Sequence, residues 1–407
     1  MDQNKPLSGL RVVELSTFVA APACTKVLAD WGAEVIKVES GKGDSFRTFG
    51  PVFNVPATAG ENPLFDLLNG GKRFVSLDIK KPEGLELLYR LLETADVFVT
   101  NNRDKALTRA GLDYDTLKGK FPRLIYAHLT GFGDVGPKKN NPGFDVVAFW
   151  AMTGFMADMS IQTEHSYPVG APTGMGDVIT SSMLSSALLG ALYARQRTGK
   201  GDRVTVSLYG TSIWCNSVLI TAAQQKYGYK FPKGRYDPGP TAYKTSDGEW
   251  IQTSILEYDR YFPALCRVLG VPEMAKDPRF KTQKTSLQPE NKRYQIELFE
   301  KIYATKTADE WVRELSAADI TVDKLAHFKD IPHDEQARQN GFIVEHAMPS
   351  GETCYLSRPS ARFDSMETPP VSCAAHLGED TAAVLKELGL SDAEISRLAD
   401  EGVAMVK

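Results

Sequence analysis

Arg11 to Val38 reads RVVELSTFVAAPACTKVLADWGAEVIKV, and the order of patterns inside it decides the fold. Arg11–Leu15 is a short β-branched run, Ala23–Trp31 has helical spacing and is closed by Gly32, and Glu34–Val38 is β-branched again. A strand, a helix and a strand in that order make a βαβ unit, whose two strands lie parallel. Further strand-like runs follow at Val75–Ile79, Asp96–Thr100, Leu124–Leu129 and Arg203–Leu208. Between them, Pro82 sits where a first-turn proline is tolerated and Gly84–Ala95 repeats apolar residues at helical spacing. The expectation is an α/β protein, Rossmann-like in architecture, with a parallel sheet flanked by helices. No G-x-G-x-x-G follows the first strand, so the usual dinucleotide loop is not expected.

The chain of 407 residues is long enough for two or three folding units. With 42% hydrophobic and 24% charged residues it has the composition of a folded protein rather than a disordered one. Lys and Arg total 47 against 51 Asp and Glu, so the formal charge of −4 gives no global pull towards nucleic acid or an anionic membrane. Any polyanionic ligand has to meet a local basic patch. The start, MDQNKPLSGLRVVEL, lacks a basic region followed by an apolar run, and no later stretch offers the ~18 uncharged apolar residues of a membrane span. A cytoplasmic location is the expectation. Cys24, Cys215, Cys266, Cys354 and Cys373 are far apart with no CxxC pair, and read as buried reduced thiols. The six histidines have no HxxxH or HExxH spacing, so no metal site is expected.

Val178–Thr198 is rich in Ser, Ala and Gly and predicts a buried helix; a long helix is expected over Ser212–Lys226. The Gly/Pro/Tyr-rich stretch at 227–243 reads as a linker. Beyond it, a hairpin around Asp247-Gly248 and amphipathic helices over Tyr258–Leu315 suggest a smaller α+β domain. A polar hairpin at Glu345–Leu356, Pro369-Pro370 and two short helices end the chain. The expected division is 1–227, 228–325 and 326–407.

Two local features carry chemistry. Gly174-Met175-Gly176-Asp177 stands directly before the small-residue helix. Helix capping explains it structurally; the same placement would hold a carboxylate ionised by the helix dipole and unpaired N–H groups, and the glycines would let an acyl group approach. Those are the needs of a carboxylate nucleophile. The segment from Thr100 to Arg109, TNNRDKALTR, follows a strand and brings three cations to the edge where α/β sheets bind ligands. A solvated polar helix is the plainer account of it, and of Lys72-Arg73 as well.

LSGLRVVELSTFVAAPACTKVLADWGAEVIKVES, GKGDSFR, TNNRDKALTRAGLDYDTL, YAHLTGFGDVGP, PGFD, GMGD, RTGKGDRVTVSL and LGEDTAAVLKELG occur in an order that resembles the class III CoA-transferases across nearly the whole chain. The resemblance implies a Rossmann-like large domain built from both chain ends, a smaller middle domain and an interlinked homodimer. It implies that Asp177 is the catalytic aspartate, forming acyl-aspartyl anhydride and aspartyl-CoA thioester intermediates. It places Asn101, Asn102, Arg103 and Arg109 in the segment that contacts CoA, and Phe18, Val19 and Ala20 in the loop near its adenosine and pantetheine parts. Gly174 and Gly176 are then candidates to steady an oxyanion through their N–H groups. The substrates implied are an acyl-CoA and a free carboxylic acid, with no tightly bound cofactor. Thr130 and Ser40 stand where formyl-CoA transferase has a lysine and an arginine, and Arg235–Pro240 replaces its glycine run. The pattern is most similar to the branch serving amino-acid fermentation, where CoA passes between 2-hydroxy acids such as phenyllactate or 2-hydroxyisocaproate and their unsaturated derivatives.

Two rival classes remain. An α-methylacyl-CoA racemase needs two bases across the α-carbon, but Gly143-Phe144-Asp145 puts phenylalanine where such enzymes typically have histidine, and phenylalanine cannot exchange a proton. A non-catalytic CoA-binding module has no need of Gly-Met-Gly-Asp at a helix start.

Overall fold

The computed structural model describes residues 5–160, 168–229, 231, 242–367 and 369–407. It has two compact units. The first comprises Met1–Ala157, Gly170–Gly228 and Pro332–Lys407; the second comprises Asp158–Val169 and Tyr229–Ile331. The Arg235–Pro240 segment and most of the linker lie outside the described residues.

In the first unit, β1 (Arg11–Leu15), α1 (Ala20–Asp30) and β2 (Glu34–Glu39) form the expected βαβ unit, with Val12 opposite Val35 and Val13 opposite Ile36. The chain continues through α2 (Pro63–Asn69), β3 (Arg73–Leu77), α3 (Pro82–Glu93), β4 (Val97–Thr100), α4 (Asp104–Ala110), α5 (Tyr114–Lys120) and β5 (Ile125–Thr130). Then come α6 (Met175–Thr198) and β6 (Arg203–Ser207). These six strands pair in the order β3-β2-β1-β4-β5-β6, all parallel. The order reverses between β1 and β4. Neighbouring crossovers leave the sheet on opposite faces there, which opens a crevice beyond the carboxyl ends of Leu15 and Thr100.

β3 begins two residues earlier than its apolar run suggests, because Arg73 joins the ladder opposite Ile36 and pairs with Glu34 at 2.7 Å. The expected helix over Ser212–Lys226 is two helices, α7 (Leu208–Cys215) and α8 (Ser217–Ala222), separated at Asn216, whose side chain bonds back to the Ser212 carbonyl at 2.9 Å.

Both sheet faces are covered. Val13, Ile36, Val75, Phe98 and Tyr126 pack under α3 and the C-terminal helices α14 and α15 introduced below, while Val12, Val35, Val97, Val99 and Ala127 pack under α1 and α6. Each such aliphatic side chain removed from water stabilises the fold by about 1.5–3 kcal/mol. α1 meets α6 through small residues, and Ser185 Oγ reaches Cys24 Sγ at 3.2 Å. α6 is the one helix among the described residues long and apolar enough to span a bilayer. Asp177 and Arg195 bracket its uncharged stretch, and Leu184, Leu188 and Ala191 are buried in the core of this unit.

The second unit is built on an antiparallel sheet of β7 (Ala242–Lys244), β8 (Trp250–Ser254) and β9 (Thr321–Lys324). β7 and β8 are the hairpin expected around Asp247-Gly248. Among the described residues its α-helices are α9 (Tyr258–Val268), α10 (Gln283–Ser286), α11 (Pro289–Tyr303) and α12 (Ala308–Ala317). Phe262, Phe299, Tyr303 and Trp311 fill its core.

Back in the first unit, α13 (Glu335–Gln339) leads into the hairpin β10 (Ile343–Ala347) and β11 (Thr353–Ser357). α14 (Thr381–Glu387) and α15 (Asp392–Asp400) follow. A two-residue strand, β12 (Ala404–Met405), then pairs antiparallel with β3 and closes that sheet edge. It is too short to leave a periodic signal. The cysteines depart from the expected burial: Cys24 and Cys266 are buried, Cys354 and Cys373 half-buried, and Cys215 exposed.

Candidate active site

The crevice at the β1/β4 reversal is stitched by side chains. Asn101 Oδ1 accepts the Thr17 N–H at 3.1 Å, and its amide donates to the Thr17 carbonyl at 2.8 Å. The Asn102 amide donates to the Leu15 carbonyl at 3.1 Å, and buried His128 donates Nε2–H to the Asn102 carbonyl at 2.8 Å. Burial holds His128 below its ordinary pKa. Both asparagine side chains therefore build the crevice wall, a task the family resemblance did not assign them. Arg103 and Arg109, at the two ends of α4, are exposed and have no ion pair among the described residues. Lys105, between them, is exposed and unpaired in the same way, so all three cations of this segment are left available to a phosphate group.

The loop after β1 carries an unusual backbone. Phe18 has φ of 65°, a left-handed conformation that is strained for a large side chain. Asp44 holds it by accepting the Phe18 N–H at 3.1 Å. Asp44 in turn meets Lys37 at 3.1 Å, and Lys37 meets Glu14 at 2.6 Å. Lys72 reaches the other Glu14 oxygen at 2.9 Å. The plainer reading of Lys72 as a solvated cation is thus corrected: Lys72 and Lys37 are both buried, sharing one carboxylate. Burial pushes Glu14 up, but the two ammonium groups outweigh it and hold the carboxyl far below the usual range. Lys37 has Asp44 and Glu39 as further counter-charges and is raised despite burial; burial leaves Lys72, which leans on Glu14 alone, down at about 8. Val19 and Ala20 begin α1 just beyond Phe18, with Ala20 buried against the core.

From Phe18 the structure leads to Asp177 through aromatic and polar contacts. The Phe18 ring meets Phe144 edge-on, 5.5 Å between centroids. Phe144 is brought there because Gly131 and Gly143 touch backbone to backbone: a Cβ on Gly131 would lie 2.8 Å from the Gly143 Cα. Its neighbour Asp145 is buried and accepts the Gly174 N–H at 2.8 Å. Gly174 caps α6 with φ of 84°, a conformation suited to glycine. Asp177 is accordingly not the N-cap but the third residue of the helix. Gly176 lies so close to Phe149 that a Cβ would come within 2.7 Å of the ring. Backbone conformation requires the first glycine and packing the second.

The Asp177 carboxylate is half-buried and receives no hydrogen bond among the described residues. Burial, with the Asp145 charge adding to it, pushes its pKa up to about 7. This overturns the expectation that the helix start would hold it firmly ionised: desolvation and a like charge dominate. Asp145 is the residue that sequence reasoning missed, although PGFD was among the motifs quoted. The Gly174 assignment is also corrected. Its N–H is already given to Asp145, so the first-turn N–H of Gly176, with no intrahelical acceptor in reach, is the remaining glycine donor.

Residues 7–381 match the family model of CoA-transferase family III. The chain belongs to that family. It is 38% identical over 400 residues to (R)-2-hydroxy-4-methylpentanoate CoA-transferase of Clostridioides difficile, covering 98% of this chain and 99% of the relative. Cinnamoyl-CoA:phenyllactate CoA-transferase of Clostridium sporogenes is 35% identical, covering 100% and 99%. A crystal structure of a CAIB/BAIF family protein from Brucella suis superposes with a TM-score of 0.77 at 31% identity, covering 95% of this chain and 100% of that one. This class III CoA-transferase therefore uses CoA thioesters and carboxylic acids as substrates.

Proposed function

We propose that the enzyme moves CoA between acids of the 2-hydroxyacyl class, with Asp177 as covalent nucleophile. The observation that carries the mechanism is the Asp177 carboxylate, half-buried, free of hydrogen bonds among the described residues and pushed up to about 7 in the first turn of α6. A carboxylate of raised pKa is a better nucleophile once ionised, and the first-turn N–H of Gly176 is left to donate to a tetrahedral oxyanion. The substrate class is supported by the two clostridial relatives, which are named for a 2-hydroxy acid and for phenyllactate.

In the first step the Asp177 carboxylate attacks the donor thioester and expels CoA thiolate, leaving an acyl-aspartyl anhydride. The thiolate attacks the aspartyl carbonyl, releases the donor acid and leaves an aspartyl-CoA thioester. The acceptor carboxylate repeats these two steps in reverse, and Asp177 is regenerated. Arg103 and Arg109 hold CoA phosphates, while Phe18, Val19 and Ala20, with the crevice stitched by Asn101 and Asn102, receive the rest of the cofactor moiety. One thioester replaces another, so metabolite levels set the direction. The first unit acts as the CoA-binding domain and the second is the smaller one, its bounds differing from the expected 228–325 by the added 158–169 and 326–331, in an interlinked cytoplasmic homodimer. Light scattering should give a dimer that survives dilution; a monodisperse monomer overturns that part.

Hydroxylamine tests the intermediate. Added to enzyme and acyl-CoA, it should attack the activated aspartyl carbonyl, expel CoA or the acid, and leave a hydroxamate that peptide mass spectrometry places on Asp177. An unmodified Asp177 peptide together with an active Asp177→Asn variant overturns covalent catalysis.

A further inference from the structure

Asp66, His346 and Cys373 come from α2, from β10 and from the segment before α14, and the fold gathers them at one point. His346 Nε2 lies 3.0 Å from Asp66 Oδ2 and 3.8 Å from Cys373 Sγ, and the three donor atoms are all within 4.8 Å of one another. Asp66 and Cys373 line a cavity of about 540 Å³. None of the three belongs to the transfer chemistry above.

A thiol activated through histidine needs the carboxylate on one ring nitrogen and the sulfur on the other. Here both meet Nε2, and buried Nδ1 has no partner among the described residues. Three different donors converging on one point is instead the arrangement around a shared ion. We propose that Asp66, His346 and Cys373 bind a divalent cation of the zinc type. One carboxylate and one thiolate neutralise it, and a mixed O, N and S set suits this borderline ion. Tetrahedral zinc places such donors about 3.4–3.6 Å apart, and the observed 3.0 and 3.8 Å bracket that range. The Asp66 to Cys373 edge closes by rotation of the half-buried Cys373 side chain, whose other contact is a long 3.6 Å approach to the Ala347 carbonyl. The Ala374 N–H holds the second Asp66 oxygen at 2.7 Å, the outer support that metal-binding carboxylates need. Coordination releases the thiol proton to solvent and shifts the proton of the neutral imidazole from Nε2 to Nδ1, and water from the cavity takes the fourth position. The ion ties the carboxyl-terminal segment to α2 and to the β10–β11 hairpin.

Cobalt tests the site, because a cysteine ligand gives a thiolate-to-cobalt charge-transfer absorption. The full-length protein, stripped with chelator and titrated with Co²⁺, should show that absorption at a single ion per chain, and Zn²⁺ should raise its unfolding midpoint. Cys373→Ser, a near-isosteric change, should remove the absorption and the Zn²⁺ stabilisation, and Asp66→Asn should weaken binding independently. Asp177→Ala should retain both signals, since the cluster takes no part in transfer. Absence of the absorption in the parent protein, its persistence in Cys373→Ser, or its loss only in Cys354→Ser, the cross-strand neighbour of His346, overturns the proposal.

Discussion

Glu14 and Asp177 are two carboxylates in one compact unit, and their surroundings drive them in opposite directions. Glu14 is fully buried, yet Lys37 and Lys72 overcome the burial and keep it ionised far below its usual range. Asp177 is less buried, but it has no cation beside it and faces Asp145, so its pKa rises to about 7. The difference teaches that partners, more than depth, separate a carboxylate held ionised from one whose pKa is raised. Glu14 acts through Lys37 and Asp44 on the strained Phe18 backbone; Asp177 is half-buried and receives no hydrogen bond among the described residues.

Substitution should separate the two roles. Asp177→Asn keeps the shape but lacks an ionised oxygen, and its transfer rate is expected to fall on the order of 10⁴-fold or more, measured by acyl-CoA exchange. Its folding should behave in the opposite sense. A raised folded-state pKa stabilises below the unfolded value and loses that contribution as pH rises through about 7, so the Asn variant should be the more stable protein at pH 8 and lose that advantage in acid. Equal urea midpoints at pH 8 would contradict the raised pKa. Glu14→Gln leaves two buried ammonium groups short of a counter-charge, and unfolding in urea should show a loss of about 3–5 kcal/mol. An undiminished midpoint would show that Asp44 and Glu39 suffice.

The pH profile sharpens the comparison further. With acyl-CoA, kcat/KM should rise through about pH 7 as Asp177 ionises. Asp145→Asn removes the like charge while retaining an oxygen for the Gly174 N–H, and should move that limb to lower pH. An unmoved limb would leave burial as the sole cause. The smallest effect is expected at the exposed crevice edge. Arg103→Ala and Arg109→Ala should each raise the KM for acyl-CoA by about tenfold, with little change for the free acid. Unchanged CoA binding in both would return α4 to the role of a solvated helix.

The sequence by itself marked the six parallel strands of the first unit and the helices α1, α3 and α6, because β-branched runs and 3.6-residue spacing are properties of consecutive residues. It also marked Asp177, since the glycines flanking it are neighbours in the chain and the motif order resembles a family. Only the tertiary structure decided what surrounds those residues. Asp145 reaches the start of α6 across 29 positions, Lys72 reaches Glu14 across 58, and His346 reaches Asp66 across 280. β12, two residues long, is a strand only because β3 offers it an open edge. Charge, burial and hydrogen bonding depend on distance in space, so the state of Asp177, the burial of Lys72 and the meeting of Asp66, His346 and Cys373 leave no trace in local spacing.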